Sequence, residues 1–341
     1  MFKTSVFSVV LAAFLVSGLS AQRPSLQLEA RVPDTAPLTP RPIAAPLPTP
    51  APAPSPAPAP APAPVAPSSA PSGQRFTAPA AQWLYSAPGG PGLNISGMAS
   101  SLPFHVNTHA DGFDFPVQYT DWSHGCTTFT DTRYYNYADR LCVPTPTAGY
   151  FTPSVGAWGA NDGHLVIVDT VNHDYYEFWK LTVDNHGWPT STNVGQIVEG
   201  NYTTGDGNPG TTAAGLTALA GVILPGELDC ATCLNHALSV VVPGNMNSNQ
   251  IGHQAPAHKT DGGSPGAIFR EGAKIRFDPG VNVDNLNVST AVKALMRALQ
   301  NYGGVITDQT GGPGVSFYSS LATPPDLTGI NQIGQHLFLY Y

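Results

Sequence analysis

The chain has 341 residues, of which only 11% are charged, and its formal net charge is −8. No cluster of lysines and arginines occurs in it, so the counterion release that drives nucleic-acid binding has no source, and attraction to anionic membranes is disfavoured. A weakly charged chain rich in Thr, Asn, Ser, Tyr and Trp favours neutral, hydroxylated ligands.

Residues 1–21 have the pattern of a secretory signal peptide. Lys3 supplies the charged start, residues 6–19 form an apolar run, and Ser20 and Ala21 are the small residues expected at a cleavage point. The run is short for a membrane span, which needs about 20 apolar residues. An uncleaved anchor is the competing interpretation. The pattern favours a secreted protein, extracellular or associated with a cell wall.

Residues 22–76 are predicted to be a disordered linker or stalk. Proline and alanine dominate residues 33–71, and because proline fixes φ and lacks an N–H donor, neither helix nor sheet can form there. In the polyproline II conformation, at about 3.1 Å per residue, this stretch would be a semi-rigid rod of roughly 100 Å. A spacer, an O-glycosylated stalk and part of a pro-segment are all compatible with it.

Residues 77–341 are predicted to form a single β-rich domain. Short β-branched or aromatic runs between turn residues predict strands at 115–120, 164–169, 174–182, 236–242, 273–277, 305–308, 315–319 and 336–341. A helix is predicted at 213–223, which is rich in Ala and Leu, and another at 290–302, with Ser289 as its N-cap. This pattern predicts an all-β fold, a β-sandwich or jelly-roll-like architecture, with two helical insertions.

Four cysteines in an exported chain favour disulfides, and three pairings are possible. Pairing nearest partners predicts Cys126–Cys142 and Cys230–Cys233. The CxxC spacing of the second pair also occurs in redox motifs, but no thioredoxin-like βαβ pattern surrounds it. Sequons that would be glycosylated in a eukaryotic host, and would then lie on the surface, occur at Asn94, Asn201 and Asn287.

Residues 164–179 are predicted to form a β-hairpin around a loop at 170–173. If Asp169 opposes Asp174, Val166 meets Glu177, and the alternation of side chains defines two faces. The expected core face carries Leu165, Ile167, Tyr176 and Phe178. The other face carries His164, Val166, Val168, Tyr175, Glu177 and Trp179.

This second face brings together an acid, an imidazole, a phenol and an indole. Aromatic rings stack on sugars, and a carboxylate beside them can bind hydroxyls or move protons. Glu177 is therefore the first candidate for an acid/base or nucleophile, with Trp179 and Tyr175 as the sugar platform and His164 and Asp169 in support. The structural alternative is a half-exposed strand whose glutamate is only hydrated.

Other candidates lie on two later segments. His236 is a supporting catalytic candidate, although a single histidine on an apolar face is more often structural. The glycine-bounded loop 256–263 carries His258, Lys259 and Asp261 in the kind of segment that commonly displays functional groups. A merely solvated loop explains these residues equally well.

The run 271–278 is a further candidate. Lys274 and Arg276 alternate with apolar residues, which predicts one solvent-facing side of a strand. Glu271 or Asp278 is a candidate for the second carboxylate of a glycosidase pair. Surface salt bridges account for these charges equally well.

Two motif matches are set aside. Residues 262–266 match GxSxG, but Pro265 follows the serine and has no N–H for an oxyanion hole. His105 and His109 have a spacing that suits zinc only on a helix, whereas Pro103 and Gly112 predict strand and turn. No metal site and no cofactor are therefore predicted.

Several segments resemble a group of secreted proteins from soil bacteria and fungi. They are DGHLVIVD at 162–169, HALSVVVP at 236–243, EGAKIRFDP at 271–279 and the helix end at 297–303. The resemblance covers about residues 140–310. It implies a single exported module and assigns no catalytic residue.

Together these observations predict a secreted, monomeric enzyme acting on a cell-wall or extracellular polysaccharide or oligosaccharide, as a glycoside hydrolase or a polysaccharide lyase. In a lyase, Lys259 or Arg276 would neutralise the substrate carboxylate while a histidine or tyrosine removed the proton. One alternative is a non-catalytic carbohydrate-binding or adhesive module. Another is a secreted effector that binds a protein.

Overall fold

The computed structural model describes residues 79–132, 140–154, 162–247 and 252–341. The predicted signal peptide and stalk lie outside the described residues. All described residues belong to one compact unit. None of the helices in these ranges is long and apolar enough to cross a bilayer.

The described residues contain fourteen strands: β1 (Leu93–Asn94), β2 (Phe104–Val106), β3 (Val117–Thr120), β4 (Cys126–Asp131), β5 (Arg140–Pro144), β6 (Leu165–Asp169), β7 (Asp174–Trp179), β8 (Asn193–Val194), β9 (Gln196–Asn201), β10 (Leu238–Pro243), β11 (Lys274–Phe277), β12 (Gly304–Thr310), β13 (Val315–Phe317) and β14 (Leu337–Tyr340). The α-helices in the same ranges are α1 (Ser96–Ala99) and α2 (Thr290–Asn301). Short 3₁₀ helices occur at Pro79–Leu84, His109–Asp111, Ala218–Ala220, Gly244–Met246, Val283–Asn285 and Ile330–His336.

The largest sheet has seven strands in the order β1-β14-β11-β12-β10-β13-β2. Its central strands β10 and β12 are parallel, while β13 runs antiparallel to β10 and β11 antiparallel to β12. Helix α2 packs on one face through apolar residues that include Val292, Leu295 and Leu299. The Ser289 hydroxyl caps this helix by accepting a hydrogen bond from the Val292 N–H at 3.3 Å, as its sequence predicts.

A four-stranded sheet, β3-β6-β7-β9, is buried on both faces. On one face, Val166, Val168 and Tyr175 share a core with Val241 of the seven-stranded sheet. The opposite face packs on the three-stranded sheet β5-β4-β8, and its core includes Phe129, Val143, Leu165, Ile167 and Phe178. The layered, mostly β architecture that the sequence predicts is therefore confirmed.

All eight predicted strands are present, with ends shifted by a few residues. The helix predicted at 290–302 is confirmed as α2, but the helix predicted at 213–223 is wrong, since only Ala218–Ala220 forms a 3₁₀ turn. Backbone donors that a helix would use internally have distant partners instead. The Ala214 N–H donates to the Thr307 carbonyl at 2.9 Å, and the Ala218 N–H donates to Glu177 at 3.0 Å.

Both predicted disulfides are confirmed. Cys126–Cys142 joins β4 to β5, and Cys230–Cys233 closes a short loop before β10. Among the sequon asparagines, Asn94 and Asn287 are exposed, as expected. Asn201 is half-buried, and its Nδ2 donates to Asp174 at 2.8 Å, so a glycan there would have to displace this contact.

Candidate functional site

The predicted hairpin has the expected register. Val166 pairs with Glu177, and Val168 pairs with Tyr175. The expectation that their shared face is open to a sugar is nevertheless wrong, because Glu177, Tyr175 and His164 are only 0%, 1% and 8% exposed. Phe115 and residues of the segment 211–220 cover this face.

Glu177 is an anchor for the segment that covers it. Its Oε1 accepts hydrogen bonds from the N–H and hydroxyl of Thr211 at 2.8 and 2.6 Å. Its Oε2 accepts from the Thr217 hydroxyl at 2.5 Å and from the Ala218 N–H at 3.0 Å. Burial raises the pKa of this carboxyl, although the four hydrogen bonds oppose the shift. The arrangement fixes a loop and leaves no open face for a substrate.

His164 and Asp169 also have structural surroundings. The His164 ring stacks on Phe115 at a centroid distance of 3.9 Å, and burial lowers the pKa of His164 to about 3, so the imidazole is neutral at physiological pH. Asp169 is fully buried. It accepts hydrogen bonds from Trp122 Nε1 at 2.5 Å and from the Val171 N–H at 2.8 Å, which ties the hairpin turn to a neighbouring loop.

His236 is fully buried as well. Its Nδ1 lies 2.7 Å from the Ala237 carbonyl, and its Nε2 lies 3.3 Å from Oε2 of Glu227. The structural alternative for this histidine is therefore the better description of its surroundings.

The candidate binding residues are dispersed. Trp179 is half-buried, with the Lys180 ammonium 4.5 Å from its ring centroid, and the Tyr175 hydroxyl donates to the Pro209 carbonyl at 2.7 Å. The Arg276 guanidinium donates to two backbone carbonyls, at 3.0 and 3.1 Å. His258 is exposed, and its Nε2 lies 3.9 Å from Oδ2 of Asp206. Lys259 follows His258 in the same loop. These candidate binding residues therefore do not form one surface for a sugar.

A different group of acids comes together at one edge of the seven-stranded sheet. Asp261, Glu271 and Asp308 form what we call the carboxyl cluster, since the charge of Asp261 acts on both of the others. Glu271 precedes β11, which runs antiparallel to β12, so it lies beside the end of β12 that carries Asp308. Gln309 holds the loop of Asp261 there, with its Nε2 donating to the Asp261 carbonyl at 3.0 Å.

A β-bulge orients Asp308. Val240 pairs with Ile306 but Val241 pairs with Asp308, so Thr307 is an extra residue in β12. Because side chains alternate along a strand, the bulge turns Asp308 from the face of α2 to the face that carries Val241. Bulges are common beside active sites, where they redirect one side chain.

Glu271 is fully buried at the base of the cluster. Its Oε1 accepts a hydrogen bond from Asn247 Nδ2 at 3.1 Å. Its Oε2 and the Asn247 Oδ1 are buried without a hydrogen-bond partner in the described part of the chain. Burial and the nearby Asp261 carboxylate raise the pKa of Glu271 to about 8, so its neutral form predominates at neutral pH.

Asp308 is half-buried and Asp261 is exposed, so the cluster reaches solvent. Asp308 accepts hydrogen bonds from the Gln309 N–H at 2.8 Å and the Ala213 N–H at 3.2 Å. Tyr318 also donates to it. Burial, together with the charge of Asp261, raises the pKa of Asp308 to about 7. Acids whose pKa lies near neutral pH, beside an accessible carboxylate, are suited to proton transfer.

Comparison of the chain with protein-family models, curated proteins and solved structures finds no match. Among the described residues, no three His, Cys, Asp or Glu side chains are arranged to hold a metal ion. The sequence had indicated Glu271 and Asp261 as candidates. It did not indicate Asp308, Asn247 or Tyr318, and the signal for Asp308 was a carboxylate at the end of an apolar strand.

Proposed function

We propose that this chain is a secreted glycan-active enzyme, a glycoside hydrolase whose acid/base chemistry is carried by the carboxyl cluster. Asp308 is the general acid, which protonates the departing glycosidic oxygen. Asp261, the exposed member, is the second carboxylate and acts as base or nucleophile. Glu271 is a positioning residue, since it is fully buried beneath the other two.

The observation that carries this proposal is the arrangement of the cluster, in which the bulge at Thr307 places the half-buried Asp308 beside the loop of the exposed Asp261. Glycosidases need one carboxylic acid that retains its proton near neutral pH and a second carboxyl that is ionised. The pKa of Asp308 is raised to about 7 by burial and by Asp261. Exposure of Asp261 supplies the route by which a substrate reaches the pair.

Composition and covalent structure support the choice of substrate and compartment. A net charge of −8 with 11% charged residues disfavours nucleic acid as a partner. Two disulfides are compatible with an extracellular protein. A neutral or weakly acidic glycan agrees with both facts.

The test compares Asp308→Asn and Asp261→Asn with Asp278→Asn in the full chain, on a broad glycan panel. Asp278, the other carboxylate candidate of the run 271–278, follows the opposite end of β11 from Glu271 and lies outside the carboxyl cluster, so it serves as the control. It accepts a hydrogen bond from the Gly280 N–H at 2.8 Å, which an asparagine oxygen can also accept. Reducing ends are measured for hydrolysis and ultraviolet absorbance for unsaturated lyase products. We expect both cluster variants to lose about 100-fold or more in turnover, and the control to retain it. Wild-type activity in either cluster variant, or no hydrolysis by the wild type, overturns the proposal.

The second candidate is a non-catalytic carbohydrate-binding module. The composition supports it equally, because a weakly charged chain rich in Thr, Asn, Ser, Tyr and Trp suits a neutral, hydroxylated ligand whether or not that ligand is converted. A module of this kind would bind a glycan without converting it, and its affinity would be the same in the Asp308→Asn variant. Absence of any glycan affinity would instead favour a protein-binding effector.

A further inference from the structure

A groove of about 480 Å³ lies at the β1-β14-β11 side of the seven-stranded sheet. We call it the tyrosine groove; its lining includes Pro88, Pro91, Gln254, Lys274, Tyr340 and Tyr341. None of the described residues that line it is an aspartate or a glutamate. The groove therefore combines aromatic surface with a cation and lacks an acidic side chain.

Neutral groups surround the ammonium of Lys274 among the described residues of this groove. Its ammonium donates hydrogen bonds to the carbonyls of Trp83 and Ser86 at 2.9 and 3.0 Å. Among the described residues, no carboxylate lies within 4.0 Å of it. Burial lowers the pKa of Lys274 to about 8, which reflects the cost of a cation held by neutral carbonyls alone. An anionic ligand would offset that cost.

Arg270 adds a second cation to the rim. Its guanidinium carbon lies 4.5 Å from the ring centroid of Tyr341, whose hydroxyl donates to the Ile268 carbonyl at 2.5 Å. The Nε of Arg270 is buried and has no hydrogen-bond partner in the described residues. Two cations that have no carboxylate partner in the described part of the chain thus flank one groove, although the net charge of the protein is −8.

The tyrosine groove adjoins the carboxyl cluster. The Gln254 N–H donates to the Glu271 carbonyl at 2.9 Å. Lys274 follows Glu271 by three residues, so the chain between them spans at most about 10 Å. Lys274 also pairs with Val305, on the strand that carries Asp308. A chain-like ligand in the groove would therefore extend toward the acids.

We infer that the tyrosine groove binds a uronate unit of the glycan, a sugar that carries a carboxylate, with Lys274 and Arg270 pairing with that carboxylate. This inference rests on the proposed function, whose substrate class it names. Tyr340 and Tyr341 supply the aromatic surface on which sugar rings stack. The negative charge of the whole chain disfavours polyanions of higher charge density, whereas one carboxylate per sugar ring matches the few cations of this groove.

The test measures binding by titration calorimetry with the full chain carrying Asp308→Asn, so that turnover does not consume the probe. The probes are an oligogalacturonate and a neutral glucan oligomer of equal length. We expect the oligogalacturonate to bind about tenfold or more tightly than the glucan, and Lys274→Met to abolish this preference. The matched control is Lys293→Met, since the Lys293 ammonium also donates to a backbone carbonyl but lies on α2.

Equal affinity for the two probes, or an unchanged preference in Lys274→Met, overturns the inference. If Lys274→Met does not fold, Arg270→Gln and Tyr341→Ala provide the same test at the rim, with at least a severalfold loss of oligogalacturonate affinity expected. None of these binding measurements depends on turnover. Lys274-dependent uronate binding without hydrolysis in the wild type would therefore overturn the proposed hydrolase alone.

Discussion

Asn247 Nδ2 donates a hydrogen bond of 3.1 Å to Oε1 of Glu271, and both residues are fully buried. The contact holds the chain after β10 against the chain before β11. It leaves Oε2 of Glu271 without a partner in the described ranges. A carboxyl buried in this way takes up a proton on folding, because its neutral form is far less costly to bury.

This proton uptake predicts a loss of stability as the pH rises. The pKa of Glu271 is about 8 in the fold, against an ordinary value of 4.5. Between these values the folded state holds a proton that the unfolded chain has released, so the free energy of unfolding falls as the pH rises toward about 8. Asp308 acts in the same direction up to its pKa of about 7. Urea unfolding at pH 5, 6.5 and 8 measures the effect.

Glu271→Gln should flatten this pH dependence, since glutamine does not titrate and can still accept the Asn247 hydrogen bond. Asp278→Asn is the control, and it should keep the wild-type slope. A wild-type slope in Glu271→Gln would show that Glu271 does not take up the proton.

Glu177 is predicted to act through stability. Two hydroxyls and two N–H groups donate hydrogen bonds to the buried Glu177 carboxylate, and Glu177→Ala removes their acceptor. This variant should destabilise the protein by about 4 kcal/mol or more. Glu177→Gln keeps the shape and part of the hydrogen bonding, with an expected loss of about 1–3 kcal/mol. Turnover per folded molecule should stay at the wild-type value in Glu177→Gln. A complete loss of turnover in a folded Glu177→Gln protein would restore this residue as a catalytic candidate.

Gly210 permits the close approach of the segment that covers Glu177. A Cβ at this position would lie 1.9 Å from the backbone carbonyl of Leu216, so Gly210→Ala requires a backbone shift and should cost about 1–3 kcal/mol or more. Gly263→Ala is the matched control, because a Cβ there meets no heavy atom within 4 Å. Thermal unfolding of the two variants compares them, and equal midpoints would contradict the proposed packing.

His109 and His105 should titrate on opposite sides of the ordinary histidine value of 6.5. The hydrogen bond to Asp114, at 3.1 Å, raises the pKa of His109. Partial desolvation lowers the pKa of His105, although its side chain still reaches solvent. The pair of His109 with Asp114 stabilises the fold at low pH, and this contribution is lost as the pH rises through the raised pKa of His109. Asp114→Asn should lower the pKa of His109 and leave His105 unchanged, which NMR titration of the imidazoles measures.

The strands were predictable because their signals are local. In the hairpin, the turn at 170–173 fixes the register, so the pairing of Val166 with Glu177 followed from the sequence. The burial of that face did not follow from the sequence, because a strand pair carries no information about what packs on it. The covering residues Thr211 and Thr217 lie far along the chain, in a segment whose Ala/Leu composition also suits a helix.

The carboxyl cluster was only partly predictable for a similar reason. Asp261 and Glu271 stand out as charged residues in glycine-bounded or strand-flanking segments. The contribution of Asp308 depends on the bulge at Thr307, since regular alternation would place Asp308 on the face of α2. Such a bulge arises from the pairing of β12 with β10 and has no clear signal within β12 itself.

The segment 211–218 contacts two acids that are distant in sequence. Thr211 and Ala218 donate to Glu177, while the Ala213 N–H between them donates to Asp308. The two carboxylates are thus attached to one short piece of backbone. The consequence is epistasis in stability, so the losses in the free energy of unfolding caused by substitutions at positions 177 and 308 should not add.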